Sequence, residues 1–109
     1  MNDSLAVLEK QYFFLHQSLP GLIDAGATQQ EIDALRKAIV TSRTNYWKAI
    51  NHVLHDDDPE VASLVSRMKT EQLNLEAGLK HLGNVSKVLQ AISKAVDIGS
   101  QLADKVVAL

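Results

Sequence analysis

The chain has 109 residues, enough for one ordinary domain, with 11 basic and 13 acidic side chains and no cysteine. A domain of this length buries roughly two thirds of the surface its unfolded form exposes, so folding needs neither disulfide nor metal, and the missing thiols exclude cysteine nucleophiles and thiolate metal sites. The formal net charge of −2, with no local Lys/Arg cluster to offset it, gives no general attraction to phosphate backbones and argues against nucleic-acid binding.

Residues 3–18 read as a first helix. Leu5, Leu8, Tyr12, Leu15 and Leu19 recur at three- and four-residue steps, which places them on one helical face. Leu19-Pro20-Gly21 predicts a stop, because proline lacks the amide donor and glycine loosens the backbone. The stretch to Ala27 is then a connector with room for one turn of helix.

Thr28-Gln29-Gln30-Glu31 has the form of a capping box, in which residues one and four satisfy each other's orphan amides. It opens a second helix, expected over 28–55, with Ile32, Leu35, Ile39, Tyr46, Ile50 and Val53 on its inner face and Ser42 and Ala49 filling in. Asp58 as cap, Pro59 at the first helical position and Glu60 near the positive end of the dipole open a third helix, expected over 59–82.

From Val61 the three–four rhythm runs through Leu64, Met68, Leu75, Leu82, Val85, Leu89, Ile92, Val96 and Ala103 to Val106. Gly78 and Gly99 share this seam, and Glu71 is its one charged interruption. Gly83-Asn84 can end a helix through a left-handed cap, yet the phase holds across it. Two architectures follow. Broken at Gly83, a fourth helix over 84–108 completes an antiparallel bundle with a short first member. Unbroken, one helix of about 75 Å lies opposite the first two in an extended hairpin. Either way the fold is all-α, a single helical domain over 1–109 with three or four helices.

Chemistry is sparse. His52 and His55 stand three apart, and with Asp56 they offer imidazole and carboxylate within one turn, the donors a zinc site would use. Helix-end electrostatics account for the same residues, since imidazole suits the negative end of one helix and aspartates the positive end of the next. No metal or cofactor is therefore expected. Di-iron bundles use Glu-x-x-His pairs, and no glutamate here has a histidine three residues on. Glu71 is best satisfied by a cation, with Lys37, Arg43 and Lys48 as candidates on the second helix. His16 and His81 sit among apolar helical positions and read as partly buried. No nucleophile motif, phosphate loop or dinucleotide fingerprint is present, so no catalytic residue is assigned.

The informative residues are apolar ones off the main faces. Val7 and Phe14 stand seven apart on nearly the opposite side of the first helix from its stripe, and Val40 and Trp47 repeat that spacing on the flank of the second. Large apolar side chains there are binding hot-spot material. Residues 85–109 form an amphipathic stretch that could lie on a membrane. The function expected is a non-enzymatic helical module acting through protein–protein association, with a second copy or a helical partner. A membrane-active or pore-type protein using residues 85–109 is the alternative, and a metal-dependent helical-bundle enzyme the third. Asp3 stands where an export signal would carry Lys or Arg, and Glu9-Lys10 interrupts the apolar run behind it. A cytoplasmic location follows as the expectation, and leaderless export is compatible with it.

Overall fold

Four helices, α1 (Asp3–Asp24), α2 (Gln29–Ile50), α3 (Pro59–Lys80) and α4 (Val85–Ala108), make up the fold, in a computed structural model that describes residues 3–51, 55–80 and 84–108. No strand occurs among the described residues. The protein is an all-α helical bundle.

Each helix begins on a polar cap. Thr28 and Glu31 form the expected capping box, with Glu31 N–H donating to Thr28 Oγ1 at 3.2 Å and Thr28 N–H to Glu31 Oε1 at 2.9 Å. Asp58 Oδ1 accepts from the Glu60 and Val61 amides at 2.9 and 3.1 Å. Asn84 Oδ1 accepts from Lys87 N–H at 3.1 Å and opens α4.

α1 departs from the sequence expectation, because it passes through Pro20 and ends at Asp24 instead of Ser18. Proline removes one helical hydrogen bond, but Pro20 and His16, whose carbonyl loses its donor, are both exposed to solvent. The extra turn brings Leu22 into the core at 1% exposure, which offsets the loss. The helix closes in a Schellman motif: Ala27 N–H donates to Leu22 O and Gly26 N–H to Ile23 O, both at 3.1 Å. That turn needs a left-handed residue, and Gly26 supplies it at φ 93°.

α2 ends earlier than expected, at Ile50 and not at His55. Asn51 turns its amide back on the helix, donating from Nδ2 to Trp47 O at 3.1 Å, and His55 stands outside any helix. Competition of this kind for backbone groups is why asparagine favours helix ends. The continuous-helix architecture is ruled out by packing, since α3 and α4 lie side by side as an antiparallel pair. Glu60 pairs with Lys105 at 2.9 Å and Glu71 with Lys94 at 3.2 Å, in opposite chain order. The longest dimension is 41 Å, far short of a helix of about 75 Å. Gly83, where the break was placed, lies outside the described residues.

Around the bundle the order is α1, α2, α4, α3. α1 and α2 form the other antiparallel hairpin. α2 runs parallel to α4, as Asn45 donates to Ser100 Oγ at 3.1 Å and Lys48 meets Asp104 at 3.3 Å in the same order. α1 runs parallel to α3, with Asp3 near the start of α3 and Lys10 paired to Glu76 at 3.7 Å. α2 and α3 lie across the diagonal and do not pack together. Glu71 consequently finds its cation on α4 and on none of the α2 residues proposed from sequence.

The core is two apolar clusters separated by a polar level. Leu8, Ala49, Val61, Met68, Ile98 and Leu102 are among the residues filling one end, and Leu15, Leu22, Leu35, Leu75, Ile92 and Val96 are among those filling the other. Each buried leucine contributes about 1.5–3 kcal/mol. Between the clusters lie Gln11, Ser42, Asn45 and Gln72, all buried. Gln11 Nε2 donates to Ala95 O at 2.8 Å across the bundle. Its Oε1 and the Nε2 of Gln72 have no partner among the described residues. A polar level of this kind penalises any sliding of one helix past another by a turn.

Candidate interaction surface

The charged turn is structural. Asp56 accepts from the backbone amide of Asp3 at 2.8 Å, from that of Ser4 at 3.2 Å, and from the Ser4 hydroxyl. It therefore caps α1 from more than fifty residues away, placing a carboxylate on the positive end of that helix. His52 lies outside the described residues. His55 and Asp56 belong to no group of three or more potential ligands among the described residues.

Two of the four apolar residues singled out from sequence cover the core. Val7 and Phe14 are half-buried, and each packs against one of the two clusters. Val7 also lines an apolar cleft of about 340 Å³ with Met68 and Leu73, where α1 and α3 pack less closely than their neighbours do. The amphipathic α4 is a core helix as well: Val88, Ile92, Ile98, Leu102 and Val106 are all buried in the bundle. Among the described residues no helix is long and apolar enough to cross a membrane. His16, expected to be partly buried, is exposed and meets the Tyr12 ring edge-on at 6.2 Å.

Val40 and Trp47 differ from the other pair. The core seam of α2 is Leu35, Ser42, Asn45 and Ala49, and a rotation of 100° per residue puts Val40 and Trp47 directly opposite it. Val40 is 50% exposed, Trp47 55% and Ile50 49%. With Arg36 and Arg43 they form a stripe, 36, 40, 43, 47, 50, that repeats the three–four spacing of the core on the outer side of the helix. Arg43 holds its guanidinium 5.1 Å from the Trp47 ring centroid, a cation–π contact that orders the indole on the surface. Arg36, Lys37, Val40 and Thr41 line a shallow hollow beside it.

Charge is segregated on the same element. From Ala34 to Ile50 there are four of the eleven basic residues and none of the thirteen acidic ones. Lys48 faces Asp104, whereas Arg36 and Lys37 make no ion pair among the described residues. The sequence reading found no local basic cluster, because the cations are spaced along the chain and converge only when a helix turns them to one side. It also passed over Ile50 as an outer residue, having placed it on the inner face.

Beside the stripe, on the α1–α2 boundary, Tyr12, Phe13 and Tyr46 group with ring centroids 5.2 to 6.4 Å apart. Tyr46 O–H donates to Glu9 Oε2 at 2.8 Å. That hydrogen bond, then partial desolvation and the Glu9 charge, hold the phenol pKa above its ordinary value. Phe13 is exposed, and sequence reasoning missed it because its neighbours on the helix drew the stripe. Compared with known proteins, the chain matches no family model, no curated protein and no solved structure.

Proposed function

We propose that this protein is a non-enzymatic association module, and that the outer face of α2 is where it meets a second copy or another protein. The observation that carries this reading is the exposed stripe centred on Trp47, a residue type that dominates binding energy wherever it becomes buried in an interface. A helical bundle already satisfies its core with the opposite face of α2, so nothing within the fold requires a tryptophan there. An exposed apolar stripe with ordered spacing is a cost to solubility unless another surface covers it.

The test is a photoreactive side chain introduced at Val40, compared with one at Asp57, in the cells that make the protein. Adducts at position 40 well above those at 57 support the reading. Their mass tells a second copy from a different protein. Equal yields at both positions, or none, would contradict it.

A further inference from the structure

The association reading leaves the partner open, and the charge of the α2 surface narrows it. A second copy packed through the same stripe about a two-fold axis fits poorly. In the antiparallel register that pairs Val40 with the Trp47 of a second copy, Arg43 falls opposite its own symmetry mate. Arg36 and Lys37 then add further like charge with no carboxylate on the stripe to offset it. A parallel register sets every residue against itself. Like charges in a desolvated contact oppose binding strongly.

The spacing narrows it further. Five positions at alternating four- and three-residue steps, from Arg36 to Ile50, extend about 21 Å along one helix. A surface of that form accepts a helix laid along it, with Val40, Trp47 and Ile50 meeting apolar residues at the same rhythm. The cations of Arg36, Lys37 and Arg43 stand within and beside that stripe. We infer that the occupant of this face is an amphipathic helix of another protein whose apolar stripe is flanked by Asp and Glu side chains.

Arginine suits such a partner, because its planar fork pairs with carboxylates in two parallel hydrogen bonds. The Arg43–Trp47 contact positions both groups before binding. An anionic membrane would meet the same cations, but the remainder of the chain carries all thirteen acidic residues, and these oppose approach to a negative surface.

The experiment uses the single tryptophan of the chain as its own reporter. The intact protein is titrated with a synthetic helical peptide carrying leucines at three–four spacing flanked by glutamates. A lysine-flanked counterpart and vesicles of phosphatidylcholine with phosphatidylserine are titrated in parallel. The glutamate peptide should shift Trp47 emission to the blue, saturably, and the lysine peptide should bind at least about tenfold more weakly. Raising salt from about 0.05 to 0.5 M should weaken the glutamate complex. An Arg36→Glu/Arg43→Glu protein, altered at exposed Arg36 and half-buried Arg43 and checked for folding by circular dichroism, should reverse the preference. Equal binding of both peptides, no binding of the glutamate peptide, or a blue shift produced by the vesicles alone would each overturn the inference. In those cases a position-40 cross-link that persists leaves the association reading standing, whereas loss of the cross-link removes both.

Discussion

Gly99 is buried on α4 beneath the side chain of Gln11. A Cβ there would stand 2.6 Å from Gln11 Oε1 and 3.4 Å from Met68 Cε, and Gln11 is held in place by its bond to Ala95 O. Alanine would gain about 1 kcal/mol of helix propensity but would displace a buried, hydrogen-bonded amide worth about 1–3 kcal/mol. Gly99→Ala should therefore destabilise the protein by about 1 kcal/mol. Gly78 on α3 is the contrast, since its Cβ would meet only Val88 Cγ2 at 3.9 Å, an ordinary contact. Gly78→Ala should stabilise by about 0.5–1 kcal/mol. Urea unfolding of both variants decides the point, and the same sign for both would show that Gln11 is not packed as described. Asp56 makes a second residue-scale prediction. Removing its carboxylate in Asp56→Ala should cost about 1–2 kcal/mol through the uncapped α1, while Asp57→Ala, at an exposed position, should stay within about 0.5 kcal/mol. The sequence showed that Asp56–Asp58 stands at helix ends. It could not show that Asp56 caps a helix from the far side of the chain, because local spacing carries no record of which N-terminus lies nearby.

Helix α1 makes the element-scale case. Its residues beyond Pro20 are helical because Leu22 reaches the core, so the proline is a cost the packing outweighs. Pro20→Ala should raise stability by about 3 kcal/mol by restoring the bond to the His16 carbonyl, and Leu22→Ala should lower it by about 2–5 kcal/mol. Thermal melts of the two variants check this, and an unchanged Leu22→Ala protein would place the end of α1 at Ser18 after all. The caps of α2 and α3 were legible, since Thr28, Glu31 and Asp58 act within four residues of themselves. The inner faces were legible only to within about 60° of rotation. The stripe read as Leu5, Leu8, Tyr12, Leu15 and Leu19 mixes true core positions with flanking ones, and the core face proves to be Ser4, Leu8, Gln11, Leu15, Ser18 and Leu22. A polar residue in a core position is invisible to a hydrophobic pattern. On α3 the same effect hid Gln72 and drew Leu64 and Glu71 onto the seam, although both are only half-buried there.

At the scale of the whole molecule, the arrangement of helices decides which surfaces are free. Because α2 packs between α1 and α4 and across the diagonal from α3, only its outer face is left to solvent. That face carries the exposed tryptophan, and beside it Arg36 and Lys37, which make no ion pair among the described residues. The all-helical class and four-helix content followed from periodicity and caps, whereas the neighbour order depended on side-chain volumes and polar pairs that no one-dimensional pattern encodes. Val7 and Phe14 are separated from Val40 and Trp47 by that order and by the rotation of the α1 core face towards them, since α3 lies beside α1 and, among the described residues, no helix lies outside α2. The outer face of α2 as the working surface is the central claim, and one measurement bears on it most directly: the yield of the position-40 cross-link in a Trp47→Ala background. Leu73→Ala serves as the control, because Leu73 is also a large, exposed apolar residue but lies on α3. With both variants folded, Trp47→Ala should reduce the cross-link about thirtyfold, corresponding to a hot-spot loss of about 2 kcal/mol, and Leu73→Ala should leave it intact. An undiminished cross-link in the Trp47→Ala protein would contradict the claim.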